Sequence, residues 1–123
     1  MPVSRISKEA IKKMMRGRVN VERDTLCVIK FYSNGCHLCH ALSSYYVDIC
    51  EQYEDVLFYA FNVDDDNEIP TKLNLNGVPS ISLFKIKKGQ KAEILNMPDP
   101  DRPNNETWFT TRQIKNFIEK ELK

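Results

Sequence analysis

The sequence predicts an α/β domain in which a central mixed β-sheet is flanked by helices. Three observations carry this. Thr25 to Tyr32 (Thr-Leu-Cys-Val-Ile-Lys-Phe-Tyr) is a continuous β-prone run interrupted by one lysine, which suits a central strand buried on both faces. After the break at Ser33-Asn34-Gly35, a helix is expected from Cys36 to about Tyr53, with Leu38, Leu42, Tyr45, Tyr46, Ile49 and Tyr53 on one face at spacings of three and four. Beyond it, further strand and helix patterns follow in turn and close with a hairpin and a last helix.

The elements follow in order. Ser7 to Arg16 reads as a helix: Ile11, Met14 and Met15 recur at helical spacing, Ser7 can cap its start and Gly17 can end it. Val19 to Glu22 is expected to form a short edge strand, ahead of the central run at Thr25. Val56 to Val63 is the next strand. Asp64, Asp65 and Asp66 then lead into a short helix ending near Leu75, where acids at the entrance offset the helix dipole. Asn76-Gly77 breaks the chain, and Val78-Pro79 leads into a hairpin of Ile81 to Ile86 and Ala92 to Leu95, joined through Lys87-Lys88-Gly89-Gln90. Asn96 to Asn105 is rich in Pro, Asp and Asn and is read as an irregular loop. Thr110 and Gln113 make a capping-box pattern for the last helix, whose buried stripe is Ile114, Phe117, Ile118 and Leu122.

Bulk properties narrow the function classes. At 123 residues, 41% hydrophobic and 28% charged, the chain is read as one domain, residues 1–123, with a substantial core. A net charge of +1 gives no footing for nucleic acid or an anionic membrane. Met1 to Lys13 lacks the pattern of a signal peptide, and no apolar run approaches the roughly 20 residues of a membrane helix, so a cytoplasmic, reducing setting is expected. There the cysteines Cys27, Cys36, Cys39 and Cys50 do not form a structural disulfide framework. Cys27 in a core strand and Cys50 in a helix are read as small buried hydrophobes.

Cys36-His37-Leu38-Cys39 is different, because it stands where a strand turns into a helix. The thiolate is the reactive species in disulfide exchange. At a helix N-terminus, unpaired backbone N–H groups and the helix dipole favour negative charge. Cys36 is therefore the expected nucleophile, and Cys39, one turn on, the resolving thiol. His37 between them would favour the Cys36 thiolate if charged, and stabilising the reduced form raises the reduction potential.

The Cys-x-x-Cys, the Val78-Pro79-Ser80 that follows it and the order of elements together resemble the thioredoxin family. In element order the resemblance covers nearly the whole chain. In residues it is concentrated in Val28 to Leu42, Phe61 to Asp64 and Gly77 to Phe84. It implies the thioredoxin fold, a cis peptide bond before Pro79, and a substrate chain held by the backbone of Val78 beside Pro79, with Gly35 and His37 also lining the substrate site. It implies no metal and no organic cofactor. Its implied partners are protein disulfides as substrates, with a thioredoxin reductase or glutathione as electron source, and its implied state is a monomer.

Four departures mark the chain as a divergent member. Gly35 stands where the family places a tryptophan, and the lone Trp108 is expected to pack near the start of the last helix instead. His37-Leu38 replaces Gly-Pro, which puts the expected potential on the more oxidising side of thioredoxin's roughly −270 mV. Lys30 replaces a buried acid thought to move a proton from the resolving thiol. Lys30 is expected to snorkel to solvent and raise the local potential; the alternative is a buried amine with a depressed pKa acting as a neutral base. Asn96-Met97-Pro98-Asp99-Pro100 replaces the usual Gly-Ala after the last strand, at the edge of the family's substrate groove.

Rival readings fit less well. Cys36 to His40 matches a Cys-x-x-Cys-His haem-attachment pattern with Met97 as a second ligand, but a β-rich context and no export signal oppose it. Adjacent residues rarely converge on one tetrahedral zinc, and a second ligand pair is missing. The acidic run from Asp64 has Ile69 and Leu75 where an EF-hand loop needs Gly and Glu. The serious alternative to a thiol–disulfide oxidoreductase is a thioredoxin-fold binding or accessory module whose role does not need the dithiol.

Overall fold

The computed structural model describes residues 3–19 and 21–122. Its elements, in chain order, are β1 (Val3–Arg5), α1 (Lys8–Met15), β2 (Thr25–Tyr32), α2 (His37–Glu51), β3 (Val56–Asn62), α3 (Glu68–Lys72), β4 (Ser80–Ile86), β5 (Glu93–Asn96) and α4 (Thr111–Leu122). The strands form one sheet in the order β1-β3-β2-β4-β5. β3 runs parallel to both β1 and β2, whereas β4 runs antiparallel to β2 and β5. The mixed sheet follows from the connections: a helix carries the chain back between β2 and β3, and a short turn reverses it between β4 and β5.

β2 is central, and its alternation divides the core into two layers. Val28 points to the α2 and α4 side, with Leu42, Tyr46, Ile49, Ile114 and Ile118. Cys27, Ile29 and Phe31 point to the α1 and α3 side, with Ile11, Met14, Ile69 and Leu73. This is why β2 reads as a run apolar on both faces, interrupted only by Lys30, rather than an alternating one. Tyr46 ties α2 to the sheet: it is fully buried, and its hydroxyl donates to the carbonyls of Tyr59, at 2.9 Å, and Val28, at 3.1 Å. Tyr46→Phe is expected to lower stability by about 1–2 kcal/mol, read by urea unfolding, because it removes one shared donor from a dry site and leaves the packing intact.

Helix ends follow the sequence closely. Ser7 caps α1 by accepting from the Ala10 N–H at 3.1 Å. Thr110 and Gln113 exchange backbone-to-side-chain hydrogen bonds at 2.9 and 3.2 Å, the capping box expected of them. Asp66 accepts from the Glu68 N–H at 3.0 Å at the entrance of α3. Gly17 is required twice over: its φ is +72°, and a Cβ there would lie 2.6 Å from the Gln90 carbonyl carbon, where the β4–β5 turn crosses the end of α1.

Several expectations are corrected. The described residues of 19–22 form no strand, and Asn20 lies outside the described residues; the edge strand is Val3–Arg5, too short to show a periodicity. Tyr45 and Leu122 are each 47% exposed rather than buried, because each stands at the rim of its helix's apolar arc. The α2 stripe is instead Cys39, Leu42, Tyr46, Ile49 and Cys50. Asn96 closes β5 rather than opening a loop: its side chain donates to the Leu73 carbonyl and accepts from Ser82, both at 2.7 Å. Lys30 does not snorkel. It is only 4% exposed, on the α2 side of β2.

Candidate active site

The dithiol stands at the N-terminus of α2. Cys36 is the N-cap, with extended backbone, and its Sγ accepts the Cys39 N–H at 3.1 Å. Cys36 and Cys39 form a disulfide with a Cα–Cα distance of 5.3 Å. Cys36 is half-buried, whereas Cys39 is 1% exposed. That asymmetry suits an outer sulfur that meets a substrate and an inner one that resolves. A sulfur that already receives a backbone N–H keeps that donor when it carries charge after reduction.

The loop before Cys36 is clamped by residues that the sequence reading passed over. Asn34 is held at three places. Its N–H donates to Asp64 at 2.8 Å, its carbonyl accepts from His40 Nε2 at 2.9 Å, and its side-chain oxygen accepts from Asn62 Nδ2 at 2.9 Å. Asn62 in turn accepts from the Asp64 N–H at 2.9 Å. Ser33-Asn34-Gly35 looked like punctuation, and no local pattern tells an asparagine that ends a strand from one that pins an active-site loop. The same contact turns His40, the axial ligand that the haem reading needs, onto Asn34.

The other predicted residues surround this point. Val78-Pro79 is a cis peptide bond, with Val78 half-buried and Pro79 buried. A groove of about 710 Å³ runs away from Val78 and Ser33 between Val63, Asp64, Pro70 and Leu75; neither cysteine lines it. His37 is exposed at the first position of α2. Gly35 is exposed, with nothing within 4 Å of the place a Cβ would take, so open space stands beside the dithiol. Trp108 packs against the α2–α4 core layer, near the start of α4 as expected. Among the described residues, no group of three or more His, Cys, Asp or Glu side chains is placed to hold a metal.

The thioredoxin family profile matches residues 8–102. The chain belongs to the thioredoxin family. Among curated relatives, the thioredoxin of Geodia cydonium is 29% identical over 65 residues, covering 53% of this chain and 61% of that one. The thioredoxin of Mus musculus is 27% identical over 86 residues, covering 70% and 76%. The match thus spans less than two thirds of the first of these thioredoxins. Among solved structures, chloroplastic thioredoxin z superposes with a TM-score of 0.67 at 20% identity, covering 98% of this chain and 94% of that one. The Trx4 domain of ERdj5 gives 0.72 at 13% identity, covering 98% and 95%. These structural likenesses establish the thioredoxin fold. The Cys-x-x-Cys pair lies inside this thioredoxin-family domain, at disulfide distance.

The remaining cysteines are poor candidates for exchange. Cys27 is fully buried in β2, and burial pushes its thiol from 9.0 up to about 12. Burial raises Cys50 as well, with Glu51 adding to it. The reduced native protein is expected to take up iodoacetamide at Cys36 at pH 7.5 and to leave Cys27 unmodified until it unfolds, which peptide mass mapping reads directly.

Proposed function

We propose that this chain is a thiol–disulfide oxidoreductase acting on protein disulfides, with Cys36 as nucleophile and Cys39 as resolving thiol. The observation that carries it is the Cys36–Cys39 pair at the start of α2, with Cys36 Sγ receiving the Cys39 N–H. The reduced Cys36 thiolate attacks one sulfur of a substrate disulfide. The other substrate sulfur leaves and takes a proton. Cys39 loses its proton, attacks Cys36 Sγ and closes the Cys36–Cys39 disulfide, releasing the second substrate thiol. Two electrons pass from the dithiol to the substrate, with two protons, one from Cys39 and one from solution.

In this reading the backbone of Val78, beside the cis Pro79, holds an extended substrate chain, and Gly35 and His37 border it. A thioredoxin reductase or glutathione restores the dithiol. Residues 1–123 act as one domain and as a monomer in a reducing, cytoplasmic setting. Cys27 stays a buried thiol, which suits a reducing setting.

The test is equilibration in glutathione buffers, with alkylation and mass reading the redox state. A reversible two-electron Cys36–Cys39 couple is expected, with a potential above thioredoxin's roughly −270 mV. If no such disulfide forms across the range, the oxidoreductase reading fails and the binding-module reading takes its place.

A further inference from the structure

Lys30 stands on β2, six residues before Cys36, and only 4% of it is exposed. Its Nζ donates to Ser43 Oγ at 3.1 Å, and Ser43 Oγ donates to the Cys39 carbonyl at 3.1 Å. The ammonium also lies 5.1 Å from the centroid of the Tyr46 ring and 5.7 Å from that of Tyr32. The buried cation is therefore two hydrogen bonds from the backbone of the resolving cysteine. Every element packed around it is neutral or already engaged. From α2 come Tyr46 and His40, whose Nε2 is bound to the Asn34 carbonyl. From β2 comes Tyr32, and from β3 and β1 come the apolar Ala60 and Val3. Arg5 of β1 is ion-paired outward with Asp65 at 2.9 Å. Among the described residues no carboxylate pairs with Lys30.

We propose that Lys30 is a positioning residue for the redox couple: its buried ammonium favours the thiolate form of the reduced Cys36–Cys39 pair and so makes the disulfide easier to reduce. This rests on the oxidoreductase reading and adds the device that sets its poise. In the reaction cycle an anion forms at the dithiol, whose Cys39 backbone Lys30 reaches through Ser43, in a setting where charges interact more strongly than in water. With glutathione as reductant, two glutathione thiols give up two electrons and become glutathione disulfide. The Cys36–Cys39 bond breaks. Of the two protons released, one remains on Cys39 and the other enters solution, and Cys36 stays a thiolate.

The hydrogen-bond direction favours a field over a proton path. Ser43 aims its proton at the Cys39 carbonyl, not at its sulfur, so the chain from Lys30 offers no relay to Sγ. Burial lowers Lys30 from 10.5 to about 8, which leaves it charged at pH 7 and titrating just above. Linkage then gives a signature. A thiolate raises the affinity of Lys30 for its proton, so above about pH 8 reduction draws an extra proton onto Lys30.

The experiment measures the potential in glutathione buffers and the thiolate absorbance at 240 nm from pH 6 to 9.5 for the native chain, Lys30→Met and Lys30→Arg. At pH 7, Lys30→Met is expected to shift the equilibrium about tenfold toward the disulfide, about 30 mV for a two-electron couple, and to raise the apparent Cys36 pKa. Lys30→Arg keeps its charge at every pH; it should hold the native potential at pH 7 and lose the extra proton uptake above pH 8. A purely structural role would move melting temperature and leave both readouts in place. Equal potentials and equal thiolate pKa values in the native chain and Lys30→Met overturn the proposal, as does a native potential–pH curve without added proton uptake above pH 8. That last measurement needs no variant. A disulfide that never forms in the native chain sinks the oxidoreductase reading itself, which separates the two failures.

Discussion

Replacing Cys36 with serine is expected to reduce turnover of a protein disulfide at least about a thousandfold, since a serine hydroxyl neither ionises near neutral pH nor forms a disulfide. Cys39→Ser is expected to fail differently. Its Cys36 thiolate still attacks, but nothing resolves the adduct, so a mixed disulfide with the substrate accumulates and shows as a mass increase lost on treatment with dithiothreitol. The asymmetry comes from burial: Cys36 is reachable, and Cys39, 1% exposed, is reached only through Cys36. Cys36→Ser should move stability little in the reduced state, because serine keeps a polar group at the N-cap. Equal turnover in Cys36→Ser and the native chain would hand the function to the binding-module reading.

The second large effect is on stability, and its sign is opposite to most core substitutions. Lys30 is protonated in both folded and unfolded chains at pH 7, but the folded chain holds that proton less tightly, at about 8 against 10.5. Keeping the charge buried therefore costs on the order of 3 kcal/mol at pH 7. Between about pH 8 and 10.5 the unfolded chain binds more protons than the folded one, so this contribution makes stability rise with pH and the cost is gone above 10.5. Lys30→Met fills a similar volume without the charge and loses one hydrogen bond to Ser43, which keeps its own bond to Cys39. The variant is expected to be about 2 kcal/mol more stable than the native chain at pH 7 in urea unfolding of the oxidised proteins, the gap closing by pH 10.5. Comparing the two chains removes the opposite trend from Cys27 and Tyr46. Their acid forms are favoured by burial, which lowers stability at high pH in both proteins alike. A variant less stable than the native chain at pH 7 would mean that Lys30 is held by stronger interactions than Ser43 and the two rings.

These two effects belong together. A buried charge that costs stability and reaches the Cys39 backbone through Ser43 is the kind of strain kept for what it does to a site.

Much of this was legible in the chain. The β2 run, the α1 cap at Ser7, the capping box at Thr110 and the helix opening on Cys36 all rest on local signals, and all appear as read. What failed was non-local. Val3–Arg5 is a strand because β3 offers it an edge, with Val3 opposite Phe58, and three residues carry no period of their own. Asn34 reads as a turn residue, and only its meeting with Asp64 and Asn62, some 30 residues on, makes it the pin of the active-site loop. The exposure of Tyr45 depends on where the rim of α2 meets the sheet, which helical spacing alone does not fix.

The sequence by itself determined the fold class, the family and the candidate dithiol, because strand and helix patterning and the Cys36–Cys39 spacing are properties of neighbours along the chain. Tertiary structure alone decided the state of Lys30. A lysine in an apolar strand is free to reach for solvent until α2 is laid across it. Packing then closes the exit, Ser43 and the two tyrosine rings hold the ammonium, and a residue that reads as a surface cation becomes a buried charge behind the dithiol.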